Sequence, residues 1–215
     1  MSDSQLSTPE PIPEAEVTAP VRKRPKPGER RVQILQALAT MLEQPGAERI
    51  TTAALAARLE VSEAALYRHF ASKAQMFEGL IEFIEQSVFT LVNQITERES
   101  AGPAQAAKMV VMLLQFAEKN PGMTRVMVGD ALVFENDRLQ QRMNQFFDKI
   151  ESALKQSLRG STEVAEVGSA TPSADAQVKA SMLTSFAVGR LQRFARSGFR
   201  RPPSEHLEAS LALML

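Results

Sequence analysis

The sequence predicts an all-α protein with a small three-helix head followed by a larger helical body. Three observations carry that prediction. Beyond residue 28, apolar residues recur at spacings of three and four almost to the C-terminus, the period of helices with one buried face. The runs are separated by Pro45-Gly46, Ser72 with Gln75, Gly102-Pro103 and Asn120-Pro121, residues that stop, cap or restart a helix. No apolar–polar alternation is long enough for a strand, and the sequence has no internal repeat.

Residues 1–28 read as a disordered arm. They hold six of the twelve prolines and few large apolar side chains, too little burial to offset the entropy of ordering. A first amphipathic helix follows, carried by Val32, Ile34, Leu35, Leu38, Ala39, Met41 and Leu42. Two short helices are expected at 51–58 and 62–69. A long fourth helix opens at Ser72 and carries Phe77, Leu80, Ile81, Ile84, Val88, Leu91, Val92 and Ile95. A fifth, over 104–119, is apolar nearly all round, which suits the middle of a bundle. A short helix is expected as far as Leu132 and a longer one over 135–158. Residues 160–174 are small and polar and read as a flexible loop. Helices over 175–196 and 204–214 complete the chain. These bounds divide it into an arm (1–28), a head (29–74) and a body (75–215).

Composition narrows the function. The chain has no cysteine, which excludes disulfides, thiolate metal sites and cysteine nucleophiles. The longest aliphatic run, Met109 to Leu114, is far too short to span a bilayer, and no apolar signal core opens the chain. No membrane association and a cytoplasmic location are therefore expected. His69 and His206 are the only histidines. His206 stands beside Glu205 and Glu208 and reads as a solvated helix end. Phosphate-binding loops, dinucleotide fingerprints and nucleophile elbows are absent. No enzyme activity, metal or cofactor is expected.

The net charge of zero hides a segregation. Residues 1–20 hold four acids and no base, whereas residues 22–73 hold ten Lys or Arg against five acids. A basic segment in a neutral chain points to a polyanion for that segment alone. Arg22, Lys23, Arg24, Lys26, Arg30 and Arg31 join the arm to the first helix. They read equally as a solubilising tail or as DNA contacts.

Within this segment lies ITTAALAARLEVSEAALYRHFASK. Thr51 or Thr52 is placed to N-cap one short helix and Ser62 the next. Leu55, Leu59, Val61, Leu66 and Phe70 would close a small core, with Ala53, Ala54, Ala56 and Ala57 allowing close crossing. Helix pairs joined by so short a turn present the second helix to the DNA major groove. That helix would expose Ser62, Glu63, Ala64, Ala65, Tyr67, Arg68 and His69. Ala64 and Ala65 permit close approach and suit thymine methyls. Tyr67 has a hydroxyl for phosphate, and Arg68 suits phosphate or a guanine edge. Thr51, Thr52 and Lys73 stand at helix N-termini, where free N–H groups already favour phosphate.

The pattern T-x-x-x-L-A-x-x-x-x-V-S-x-x-x-L-Y-x-H-F-x-S-K from Thr51 to Lys73 resembles the TetR-family signature. Glu60 departs from it, standing where that family has glycine in the turn. If the turn is left-handed there, the side chain costs about 1–2 kcal/mol. The likeness extends into the body. GLIEFIEQS, EKNPGMTRVMVGDALVFENDRLQQRMNQFFDKIE and GRLQRFARSGFR resemble the SlmA-like nucleoid occlusion branch of the family. That resemblance covers residues 30–200 and implies a TetR-like fold. It implies a homodimer that binds specific sites on double-stranded DNA, is nucleoid-associated, and binds the division GTPase FtsZ to block Z-ring assembly. It further implies that the FtsZ C-terminal tail docks between the fourth and fifth helices, on a face that here includes Phe83, Met112, Lys119 and Asn120. Read without the resemblance, Phe83 is a core residue and Lys119 a solvated helix end. At Leu91 that face is expected to offer an arginine.

Two further stripes are candidates for the dimer surface or for intramolecular core. One is Leu139, Met143, Phe146, Phe147, Ile150 and Leu154; the other is Met182, Leu183, Phe186, Leu191 and Phe194. A different function for the same fold, a ligand-responsive repressor, would need an internal pocket with convergent polar groups. The body helices are densely apolar, with few such groups beyond Gln115, Asn144 and Gln145.

Overall fold

A computed structural model describes residues 28–44, 50–165 and 172–215. The arm up to residue 27, with Arg22, Lys23, Arg24 and Lys26, lies outside the described residues, as do Pro45-Gly46 and residues 166–171 of the expected loop. The described elements are α1 (Glu29–Leu42), α2 (Thr52–Arg58), α3 (Glu63–Tyr67), α4 (Lys73–Arg98), α5 (Pro103–Lys119), α6 (Pro121–Met127), a 3-10 turn (Asp130–Leu132), α7 (Asp137–Ala165), α8 (Pro172–Arg196) and α9 (Leu207–Met214). Among the described residues there is no strand.

Local chemistry accounts for most of the helix ends. Thr51, Ser62 and Ser72 are the N-caps of α2, α3 and α4, and each side chain accepts the N–H three residues on. Gln75 answers Ser72 with a variation on the usual capping box: its Oε1 accepts from the Ala71 N–H at 2.9 Å. Pro103 and Pro121 occupy first helical positions, where a missing N–H costs nothing. After α2, Val61 N–H bonds the Ala56 carbonyl and Glu60 N–H the Ala57 carbonyl. This is a Schellman termination, and it places Glu60 at φ 54°. The left-handed turn anticipated at this residue is therefore present. Glu60→Gly is expected to stabilise the fold by about 1 kcal/mol, raising a thermal midpoint by roughly 2–4 °C.

The head is α1–α3, closed over Ile34, Leu38, Leu55, Leu66 and Phe70, all nearly inaccessible. Ala56 alone of the four α2 alanines is buried; Ala53, Ala54 and Ala57 face outward. Helix crossing therefore depends on one alanine, because a seven-residue helix turns only one narrow face to its neighbours. The body packs α4, α5, α7 and α8 together, with α5 touching the other three. As expected of a central helix, α5 buries Met109, Val110, Leu113 and Leu114. At the far end Gln105 is buried and fully engaged: it accepts from Ser157 Oγ at 2.6 Å and donates to the Glu99 carbonyl at 2.8 Å.

One expectation is corrected. The helices around the expected loop are longer than predicted, so residues 160–165 and 172–174 are helical. Once nucleated, a helix gains one hydrogen bond per added residue, and proline suits a first helical position. α1 starts at Glu29, the first residue expected of the head, and includes Arg30 and Arg31. Of the two readings left open for the α7 and α8 stripes, Leu139, Met143, Phe146, Ile150 and Leu154 are buried within the single chain, as are Leu183, Leu191 and Phe194. Most of both candidate dimer stripes thus serves the chain's own core. Val178 and Met182 remain on the surface of α8, at 58% and 50% exposure.

The head is fastened to the body by α6, which packs on α1. Gly122 makes that contact possible. A Cβ there would lie 1.9 Å from the Ala39 carbonyl oxygen.

Candidate nucleic-acid interface

The surface built by α2, α3 and the start of α4 carries the residues expected to meet DNA. Thr51, Ser62, Glu63, Ala64, Tyr67 and Arg68 are exposed; Thr52, Ala65, His69 and Lys73 are half-buried. Ala65 and His69 are thus less available than expected. Ala65 turns partly toward α2, and His69 lies in the turn after α3 rather than in the helix.

The threonines and serine have two kinds of work. Thr51 Oγ1 accepts from Ala54 N–H at 3.2 Å, and Ser62 Oγ from Ala65 N–H at 3.3 Å. Thr52 is engaged by side chains instead. Its hydroxyl donates to Glu63 Oε2 at 2.6 Å and accepts from the Tyr67 hydroxyl at 3.4 Å. This chain ties α3 to α2 and draws an acidic side chain toward α2, at the surface expected to meet phosphate. Thr52→Val is expected to change stability by no more than about 1 kcal/mol. By freeing the Glu63 carboxylate it should weaken DNA binding about threefold to tenfold, with recovery in the Thr52→Val/Glu63→Gln pair. Fluorescence anisotropy on a labelled duplex reads both.

Arg58 and Arg68 are exposed and have no acidic partner among the described residues. Arg31 differs from Arg30, whose guanidinium bonds Gln33 one turn along the same helix. The Arg31 guanidinium donates to the His69 carbonyl and lies 4.1 Å from the centre of the Phe70 ring. It clamps α1 to the end of α3. Charge counting alone could not separate it from its neighbours, since the clamp bridges residues 38 apart.

Lys73, the first residue of α4, is also committed. Its Nζ lies 2.5 Å from Glu135 Oε1 and 5.7 Å from the Phe77 ring. Glu135 belongs to the turn before α7 and had no signal in the sequence. Two more pairs follow along α4: Glu78 with Arg138, and Glu85 with Arg142. The hydrogen bonds that the Arg142 guanidinium donates to Glu85 hold it above its ordinary pKa, against the opposing cost of burial, and the charges of Glu85, Glu82 and Glu78 add to this.

The second candidate face lies between α4 and α5. The Lys108–Glu99 ion pair bridges α5 to the end of α4, and Leu91 and Met112 line one cleft of about 230 Å³ with Ile95 and Arg98. Phe83, Lys119 and Asn120 do not line that cleft. Phe83 is 48% exposed, so it is a surface residue and not core. Lys119 is exposed without an acidic partner among the described residues, and Met112 is half-buried. Asn120 is occupied structurally: its Nδ2 donates to the Phe116 carbonyl at 2.7 Å where α5 gives way to α6. Arg98 and Lys108 line the same cleft and were not singled out from the sequence. They sit one and two turns from apolar residues of the stripe, a spacing that reads as an ordinary solvated edge.

No helix among the described residues is long and apolar enough to cross a membrane. No group of three His, Asp or Glu among them could hold a metal ion.

Residues 34–80 match the bacterial regulatory proteins of the tetR family, and residues 104–215 match the tetracyclin repressor-like C-terminal domain of SlmA-like proteins. The chain is 51% identical over 185 residues to the nucleoid occlusion factor SlmA of Idiomarina loihiensis, covering 86% of this chain and 93% of that one. It is 51% identical over 191 residues to SlmA of Aliivibrio fischeri strain MJ11 (88% and 96% covered) and 49% identical over 186 residues to SlmA of Escherichia coli O1:K1 (86% and 92%). Among solved structures, the fatty acid degradation regulator FadR from Bacillus halodurans superposes with a TM-score of 0.70 at 13% identity, covering 89% of this chain and 97% of that one. The MbdR regulator from Azoarcus sp. CIB does so at 0.68 and 17%, covering 86% and 97%. Identities this low speak for the fold alone.

Proposed function

The chain belongs to the SlmA-type nucleoid occlusion factors of the TetR family, and from that premise we propose that it is a DNA-binding inhibitor of cell division that acts over the nucleoid. The observation that carries this reading is the half-identity to nucleoid occlusion factors across both head and body. In this reading residues 29–74 bind DNA and residues 75–215 dimerise and hold the partner. Two heads are needed because a five-residue recognition helix reads few base pairs, and two half-sites give useful specificity. Thr51, Ser62, Ala64, Tyr67 and Arg68 face the duplex. Thr52 orders Glu63, while Ala65, His69 and Lys73 lie at the edge of the contact. The partner is FtsZ, whose C-terminal tail lies along Phe83, Met112 and Lys119, with Asn120 holding the helix end. The exposed Phe83 and the uncompensated Lys119 suit a tail that is partly apolar and acidic.

The test is FtsZ sedimentation with the purified protein, with and without a short duplex carrying a site selected from random DNA. Loss of polymer that depends on the duplex is the expected result. Unchanged polymer with DNA binding intact would leave a TetR-type regulator with a different target.

A further inference from the structure

Of the three ion pairs among the described residues that fasten α4 to the α7 side of the body, one involves a residue of the candidate DNA surface. Arg138–Glu78 and Arg142–Glu85 join side chains that have no place in that surface. Lys73–Glu135 joins the N-terminal residue of α4, beside the recognition helix, to the body. Lys73 cannot give its full charge to a phosphate while a carboxylate lies 2.5 Å from its ammonium.

The carboxylate's setting is unusual. Glu135 keeps only 10% of its side chain exposed, whereas Val133 and Phe134, just before it, are 70% and 67% exposed. The turn's backbone follows directly on the 3-10 turn Asp130–Leu132, with Glu135 N–H bonded to the Leu132 carbonyl at 3.0 Å. The chain thus has a turn with little apolar anchorage whose acidic side chain is pulled inward by Lys73. A competing anion at Lys73 would release it.

We propose that a DNA phosphate competes with Glu135 for Lys73, so that this ion pair is where the body registers an occupied head. The proposal rests on the reading of the head as DNA-binding and identifies Glu135 as a positioning residue for Lys73. In the free protein Glu135 holds the ammonium back. On DNA the ammonium turns to the backbone, the Glu135 carboxylate goes to water, and the turn at 133–135 is freed. The other two pairs stay closed and keep α4 docked.

Glu135→Gln removes the competing charge and keeps the side-chain shape. It should tighten binding to a selected duplex about tenfold for the dimer, since one partly buried pair need no longer be broken in each protomer. The gain should disappear in a Lys73→Met background, where there is no ammonium to release. Glu78→Gln, which also removes an acid from this junction, should give a much smaller gain. Equal affinity of Glu135→Gln and the parent chain would overturn the proposal. So would a gain that survives Lys73→Met, because that marks a general charge effect.

A second measurement leaves Glu135 in place. The chain contains no tryptophan, so Phe134→Trp is a single reporter on the turn. Its emission should shift when duplex is added, and should not shift in Phe134→Trp/Lys73→Met at saturating duplex. An emission unmoved by bound duplex overturns the proposal independently. Absence of any DNA binding by the parent chain would instead mean that the reading of the head had failed.

Discussion

Gly122→Ala is expected to be the most damaging single-methyl change in this protein. Alanine is the better helix former by about 1 kcal/mol, yet here its Cβ would stand 1.9 Å from the Ala39 carbonyl oxygen and 2.8 Å from its carbon. Both atoms are backbone of α1, so no rotamer change relieves the clash. The helices must separate, and α1 is the helix through which α6 holds the head. Overpacking of this kind costs about 3 kcal/mol, which lowers a thermal midpoint by roughly 6–12 °C in a chain of this size. DNA affinity should fall as well, because the head loses its fixed seat on the body. A melting temperature equal to the parent's would mean that α1 and α6 are not in contact in solution.

Arg68→Ala should leave stability within about 0.5 kcal/mol, as expected for an exposed residue with no partner to lose. Its effect on DNA binding should be large. A charge-assisted contact to phosphate or to a guanine edge contributes about 1–2 kcal/mol, and a dimer makes it twice. The expected loss is about a hundredfold, read by anisotropy on a selected duplex. The salt dependence then identifies the contact. If Arg68 meets phosphate, the loss is uniform across sequences and the slope of log affinity against log salt falls by about 2 for the dimer. If it meets a base edge, discrimination is lost at one position in each half-site and the slope changes little. An affinity for the selected duplex equal to the parent's would remove Arg68 from the interface.

The features legible in the sequence are those that depend on neighbours along the chain. Caps at Ser62, Ser72 and one of Thr51 or Thr52 could be read because an N-cap bonds an N–H only three residues away, and the structure selects Thr51. The left-handed turn at Glu60 could be read because helix termination is a local hydrogen-bond pattern. The all-α architecture and the helical period of the body came from the same short-range regularities, and the TetR-type motif from their fixed order.

What waited for the tertiary structure was decided by residues far apart in the chain. The Arg31 clamp on the His69 carbonyl and the Lys73–Glu135 pair join segments with no local relation, so a basic residue committed to the fold looks the same in sequence as a free one. Phe83 and Phe146 could both be read as core from the sequence, yet one is 48% exposed and the other is inaccessible. Periodicity tells which face of a helix is apolar. How much of that face is covered, and by which chain, depends on how wide the neighbouring helices are and where they cross. For the same reason the stripes of α7 and α8 served the internal core, leaving Val178 and Met182 outside, a division that only packed side chains could make.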